Sequence, residues 1–170
     1  PFRGIRFLDG RTGLSTEARF PTGVGLAVRR TTLHSKLVER AAADGVEMHW
    51  GARISLMNQD RVACDGCQID GAWIIGADGM QSQVRKWAGL HPSRRETRRF
   101  GFRRHFRVRP WTDFVEVYWG SSCQIAVTPT AADEVGLAMI SRNPNLRIHD
   151  ALREVPVLAA HVAGAEASTS

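Results

Sequence analysis

Trp73-Ile74-Ile75-Gly76-Ala77-Asp78-Gly79-Met80-Gln81-Ser82-Gln83-Val84-Arg85 reads as a buried strand, a glycine-bearing turn and a helix start. Trp73 to Ile75 are bulky and favour extended backbone. Gly76, Ala77 and Gly79 are small, so another group can approach the main chain closely. Asp78 places a carboxylate at the carboxyl end of the strand. From Gln81 to Ala88 the spacing turns helical, with Val84, Trp87 and Ala88 on one face and Gly89 as the stop signal. In open α/β sheets, ligands bind at that end of the strands.

Working outward, Val62 to Ile69 reads as a hairpin turned by Asp65-Gly66, within a small antiparallel meander over 52–75. Upstream, Arg29-Arg30-Thr31-Thr32-Leu33 opens a helix, with Thr31 or Thr32 as N-cap. Leu33, Leu37, Val38 and Ala41 form its apolar stripe, and Gly45 ends it. Val46 to Ile54 reads as the next strand. Helix, glycine link and strand is the rhythm of a parallel sheet. Near the start, Ile5 to Leu8 followed by Asp9-Gly10 is a hairpin signal.

Past Gly89 the pattern changes. Residues 92–99 form a polar, arginine-rich linker. From Phe100 the chain alternates: Phe100, Phe102, Phe106 and Val108 share one parity, and Arg103, His105, Arg107 and Arg109 the other. Val115, Val117 and Trp119 alternate likewise, then Ile125 and Val127, then Val135, Leu137 and Met139. This predicts antiparallel strands with one covered face. Arg147 to Ala163 reads as helical, with Ile148, Leu152, Val155, Leu158 and Val162 as its stripe, split or kinked at Pro156.

The pattern Gly-Ala-Asp-Gly-x-x-Ser-x-Val-Arg over 76–85, with the hairpin before it, resembles the second fingerprint of flavoprotein monooxygenases built like para-hydroxybenzoate hydroxylase. That resemblance implies an α/β fold, α+β if the chain is a fragment. It would hold part of a Rossmann-type FAD-binding sheet plus an antiparallel substrate-domain sheet. The implied division is 20–92 for the partial FAD-binding region, 1–19 and 98–142 for the substrate-domain sheet, and 143–170 for a helical connection back toward the FAD domain. The resemblance covers nearly the whole chain but the middle of the family's length. Gly23-Val24-Gly25 is followed by Val28 where the third glycine of a dinucleotide fingerprint belongs, and no late Gly-Asp motif follows Ala163. The chain, which begins at Pro1, therefore reads as a piece of a longer protein, expected to self-associate or to be marginally stable when isolated.

Four cofactor-binding residues follow from the resemblance. Arg30, heading Arg-x-x-Leu-His-x-x-Leu, matches the position whose polar side chain reaches the flavin dinucleotide. Ile54 matches a position that contacts adenine through backbone atoms. Asp78 and Gly79 match the motif's own pair beside the cofactor, and Asp78 also reads as a cap for the following helix. Arg85 either supports Asp78 or stays on the surface. No catalytic residue emerges, and no metal site: Cys64-Asp65-Gly66-Cys67 spans a hairpin turn and has no second ligand pair. His34 reads as structural or exposed, and His105 has no evident partner.

The implied function is an FAD-dependent oxidoreductase. Its first reading is an NAD(P)H-dependent monooxygenase hydroxylating a small organic substrate. An isoprenoid reductase or a flavin-dependent halogenase on the same fold stays open. From another class, a basic nucleic-acid or anion-binding module also stays open. The net charge of +6 comes almost entirely from arginine, with Lys36 and Lys86 as the lysines. The Arg94–Arg109 cluster interleaves phenylalanine, but the aromatics sit on the opposite parity from most charges, which a stacking platform does not allow. The expected partner is a small molecule, without nucleic acid. No apolar run reaches membrane-spanning length, and three cysteines make no secreted disulfide framework. A cytoplasmic setting is the expectation.

Overall fold

The computed structural model describes residues 1–58, 60–90 and 99–168. The chain folds as mixed α/β with a separate, largely antiparallel sheet. Two compact units divide it, Pro1–Leu37 with Thr97–Ser170 and Val38–Glu96, and the boundary falls within a helix.

The first unit is built on a seven-stranded sheet. Its strands are β1 (Gly4–Asp9), β2 (Ser15–Arg19), β6 (Phe100–Arg107), β7 (Val115–Trp119), β8 (Cys123–Ala131), β9 (Glu134–Ser141) and β10 (Glu166–Ser168). The spatial order is β10-β6-β9-β8-β7-β1-β2. All pairs are antiparallel except β1 with β7, which run parallel from Ile5↔Val115 to Asp9↔Trp119. The predicted hairpin at Asp9-Gly10 exists, but its turn is longer than two residues. Asp9 accepts from the Arg11 and Thr12 amides at 3.0 and 2.6 Å, and Gly13, not Gly10, takes the positive φ.

One face of this sheet is the core. Phe106, Ile125, Val127, Val135, Leu137 and Met139 pack there with Ile148, Ala151, Val155, Leu158 and Val162. The latter come from α3 (Ile148–Arg153) and α4 (Pro156–His161) and the turns after them. Pro156 splits the helical segment by standing at the first turn of α4, where its missing N–H is harmless. β10, too short to announce itself in sequence, pairs with β6 through Ala167↔Phe106.

On β7 the expected parity is reversed. Val115 and Val117 are half-buried and Trp119 is exposed, while Glu116 and Tyr118 are each 2% exposed. A hydrogen-bonded set makes this tolerable. Glu116 accepts from Trp111 Nε1 at 2.9 Å, from the Tyr118 hydroxyl at 2.6 Å and from Arg6 at 3.0 Å. Burial first, then the neighbouring Glu116, pushes the Tyr118 hydroxyl well above its ordinary range. A buried carboxylate is stable only when its lone pairs are used.

α1 (Arg30–Ala43) crosses the boundary between the units. It starts two to three residues earlier than a Thr31 or Thr32 cap requires: the Leu33 amide already donates to the Arg29 carbonyl at 3.0 Å. It ends as expected at Gly45, φ +77°, with Val46 N–H reaching the Ala41 carbonyl at 3.0 Å in a Schellman arrangement. Its apolar stripe is not buried. Leu33 and Leu37 are exposed, and no residue of α1 is buried.

The second unit contains a meander of β3 (Ile54–Met57), β4 (Arg61–Cys64) and β5 (Cys67–Asp70), then α2 (Gln83–Trp87). Asp65-Gly66 turns β4 into β5 with both residues at positive φ, 45° and 82°, the two-residue hairpin that the dipeptide predicts. The runs 46–53 and 73–77, expected as strands, make no ladder among the described residues. Trp73 and Ile75 are 88% and 87% exposed. A strand exists only with a neighbour to bond, and none is present for them. The arginine-rich linker over 92–99 lies outside the described residues, apart from Arg99. No helix among the described residues is long and apolar enough to cross a membrane.

Candidate functional site

The Asp78 turn is held from three sides. The Asp78 carboxylate accepts the Ser82 hydroxyl in a short hydrogen bond and the amides of Gln83 and Val84 at 2.6 and 3.2 Å. Ser82, the N-cap of α2, accepts from the Arg85 amide at 3.0 Å. These donors are the orphan N–H groups of a helix start. They hold the Asp78 carboxyl below its usual range, the Ser82 hydroxyl contributing most. Arg85 does not support Asp78: its guanidinium donates to the Met80 carbonyl at 2.5 Å and braces the turn from there.

Gly76 and Gly79 have different reasons. A Cβ at Gly76 would stand 2.6 Å from Val84 Cγ1, so that glycine lets the turn close on α2. Gly79 has φ +79° and nothing within 4 Å of where a Cβ would be. Its backbone is therefore both left-handed and open to an approaching group. Ile54 begins β3, paired to Cys64, and is half-exposed.

Arg30 belongs to the first unit. It opens α1, is exposed, and makes no hydrogen bond or ion pair among the described residues. Arg29 beside it is different. It forms a close ion pair with Glu134, whose Oε1 also accepts the Thr130 hydroxyl at 2.7 Å. Arg29 above all holds the Glu134 carboxyl down at about 2. Gly23-Val24-Gly25 is not a phosphate turn. Phe2 and Gly25 exchange two 2.8 Å backbone hydrogen bonds, and a Cβ at Gly25 would meet the Phe2 ring at 2.3 Å.

On the sheet face opposite the core lies a cavity of about 410 Å³. Arg30, Arg103, His105, Thr128 and Gly136 line it, with Leu26, Val28 and Val115 as apolar wall. His105 is 7% exposed, so it does not belong to a solvated basic face as its parity suggested. Burial pushes its imidazole below the ordinary value, Glu134 opposes this, and Arg29 and Arg103 add to it. The sequence offered one signal for this place. Gly136 interrupts an otherwise bulky strand, and isolated strand glycines mark close approach. The aromatic Phe106 points to the core, so β6 places no aromatic ring beside its cavity-side charges.

Cys64 and Cys123 are buried, and the Cys123 thiol is pushed up to about 11 by burial and by Glu154. No group of three or more histidine, cysteine, aspartate or glutamate side chains is placed to hold a metal among the described residues.

Tested residue by residue, two of the four expected positions fit a dinucleotide directly. Arg30 offers an unpaired guanidinium and Gly79 an open backbone. Asp78 fits as the support of that backbone, since its carboxylate is already occupied. Ile54 offers a half-exposed strand start paired to Cys64.

The family described as FAD binding domain matches residues 9–157. No curated protein sequence matches the chain. Among solved structures, CmlS, a flavin-dependent halogenase, superposes with a TM-score of 0.81 at 14% identity, over 99% of this chain and 36% of that one. A flavoprotein/dehydrogenase from Cytophaga hutchinsonii gives 0.79 at 16% identity, over 99% and 48%. Klebsiella pneumoniae HpxO complexed with FAD and uric acid gives 0.61 at 20% identity, over 98% and 46%. The chain thus spans less than half the length of each, and the likeness is one of fold.

Proposed function

The chain belongs to the FAD binding domain family, and from that premise we propose that it is part of an FAD-dependent oxidoreductase of the para-hydroxybenzoate-hydroxylase-like class. The family match over 9–157 carries this reading. Within it, we assign residues 20–92 to the FAD-binding region and 1–19 with 98–142 to the substrate-side sheet; 143–170, proposed to lead back toward the FAD domain, first cover that sheet with α3 and α4 and add β10 to its edge. The reaction is NAD(P)H-dependent monooxygenation of a small organic substrate. Bound FAD supplies electron transfer from a nicotinamide donor to oxygen.

This chain's own residues hold and orient. The Arg30 guanidinium is assigned to the diphosphate oxygens, where a charge-assisted bond is strong. Ile54 is assigned to adenine through its backbone. Gly79 presents main chain that no side chain obstructs. Asp78 fixes that main chain by capping α2. The sheet face around His105 shields the substrate side from water.

The test is the visible absorption spectrum of the full-length protein. A flavin spectrum, bleached anaerobically by NADPH or NADH and restored with incorporation of oxygen into an organic product, is the expected result. Arg30→Ala then weakens FAD retention by about 1.5–3 kcal/mol, the range for hydrogen bonds to charged groups. A colourless protein that stays colourless after incubation with FAD sinks the proposal. Halide incorporation in place of oxygen would move it to the halogenase branch.

A further inference from the structure

The run Cys64-Asp65-Gly66-Cys67 has no part in the cofactor assignment. Cys64 closes β4 and Cys67 opens β5, and the two are register partners, the last pair before the two-residue turn. Directly opposed residues of an antiparallel pair share a face, with Cα atoms about 4.5–5.5 Å apart. A disulfide spans Cα separations of about 4.4–6.8 Å. The backbone therefore brings the two cysteines within bridging range. The turn between them keeps them there, with positive φ at both of its residues, 45° and 82°.

Three further observations single out this pair. Cys64 is 5% exposed and is the one buried apolar residue among the described residues of the second unit. Its other partner across the ladder is Ile54, the residue assigned to adenine. The Asp65 carboxylate accepts the Arg53 amide at 3.0 Å, which fixes the chain just before Ile54. One strand pairing and one hydrogen bond thus run from the cysteine pair to the assigned adenine contact. The third cysteine, Cys123, belongs to the first unit, and its thiol, held up at about 11, is a poor nucleophile.

We propose that Cys64 and Cys67 form a reversible disulfide that loosens the hold of β3 on FAD. One cysteine thiolate attacks a small-molecule disulfide such as oxidised glutathione and displaces one glutathione thiolate. The second cysteine thiolate attacks the resulting mixed disulfide and displaces the other. The pair loses two electrons and two protons, and one glutathione disulfide becomes two thiols. Bridged cysteines hold their Cβ atoms about 3.8 Å apart, closer than an opposed pair's about 4.5–5.5 Å. Bridging draws the closing pair together and carries Asp65 out of reach of the Arg53 amide, so Ile54 is no longer fixed. The coupling to FAD rests on the oxidoreductase reading; the disulfide and its effect on Arg53 do not.

The test is equilibration of the full-length protein in mixtures of reduced and oxidised glutathione, followed by blocking with N-ethylmaleimide. Mass spectrometry then reads the tryptic peptide 62–85, which contains both cysteines. The peptide should pass from doubly labelled to unlabelled, two hydrogens lighter than the dithiol, and return with excess reduced glutathione. Amide exchange at Arg53 should be faster in the oxidised protein. FAD should bind the oxidised protein about tenfold more weakly, the equivalent of one hydrogen bond. By linkage, saturating FAD should raise the pair's reduction potential by about 30 mV, the shift for a tenfold change in a two-electron couple. Cys67→Ser should bind FAD as the reduced parent does at every glutathione ratio. Asp65→Gly, which suits a positive φ, should still form the disulfide and bind FAD alike in both states. Circular dichroism checks that both variants fold, and the peptide mass and Arg53 exchange of the parent need neither. Double labelling at every ratio, glutathione retained without an internal bridge, or a bridge to Cys123 would overturn the proposal. So would equal Arg53 exchange in the two states, or equal affinity in a protein that binds FAD. A reversible bridge with faster Arg53 exchange in a protein that takes up no FAD would keep the switch and remove the oxidoreductase reading.

Discussion

Leu137 and Trp73 both sit in bulky, β-favouring runs, and they end at opposite extremes, 0% and 88% exposed. Leu137 lies in β9, with β6 and β8 bonded on its two sides and α3 and α4 over its face. Trp73 has no ladder and no covering element among the described residues. Apolar side chains state a demand for burial, and only neighbouring elements meet it. The helix-covered face of the seven-stranded sheet meets its own demand, including that of a buried carboxylate. Trp73 and Ile75 of the second unit stay uncovered, as do Leu26, Leu33 and Leu37 of the first.

The largest effect expected along this contrast is at Glu116. Glu116→Ala leaves Trp111 Nε1 and the Tyr118 hydroxyl without their acceptor, and leaves Arg6 with Glu17 alone. Each donor left unsatisfied costs about 1–3 kcal/mol, about 2–6 kcal/mol for the two, read by urea denaturation. A loss within the range of surface substitutions would mean that the set is hydrated and the packed unit is less closed than described.

Next comes the contrast itself. Leu137→Ala should cost about 2–5 kcal/mol, whereas Trp73→Ala in the same 170-residue chain should stay within about 0.5 kcal/mol of zero. Comparable losses would show that something covers Trp73 in solution. Self-association is one such cover, because exposed apolar patches drive it. Light scattering should show the chain associating when expressed by itself, and Trp73→Ser should reduce that association.

A smaller effect belongs to the Asp78 turn. Asp78→Ala removes the acceptor of the first two amides of α2 while Ser82 still caps it, a change worth about 1 kcal/mol at a helix N-terminus. Faster amide exchange at Gln83 and Val84, with the first unit unaffected, is the expected signature. Spread of faster exchange into β8 and β9 would argue against two separately packed units.

The least of these effects is a pH dependence. Glu134 has its folded value depressed, to about 2, chiefly by Arg29. The ion pair therefore contributes stability fully above the ordinary carboxylate value of 4.5 and loses it as pH falls toward 2. Urea midpoints compared at pH 7 and pH 3 should drop more for the parent chain than for Glu134→Gln. Equal drops would remove the Arg29–Glu134 pair as the source.

Much of the local order is legible in residues. Asp65-Gly66 specifies its hairpin because both positions need positive φ. Gly45 ends α1 and Gly89 follows α2 for the same reason, and Pro156 splits the last helical segment. Asp78 reads as a cap for the following helix, and its carboxylate does accept the first amides of α2. Period-two apolar runs located β8 and β9. What failed was which face gets covered. Val115, Val117 and Trp119 carry the right alternation, yet Glu116 and Tyr118 face the helices, because Trp111 from the preceding turn and Arg6, distant in sequence on β1, complete a polar set there. His105 looked like one more solvated basic position, and its burial depends on the segment 26–30 and on the bare floor at Gly136. Turns and caps are fixed by φ preferences and hydrogen bonds within a few residues, so the sequence by itself determines them. Burial, parity and the pairing of Arg29 with Glu134 depend on contacts between residues up to about a hundred positions apart, and only the tertiary structure decides those, because burial is a property of two surfaces and one strand's sequence records a single one.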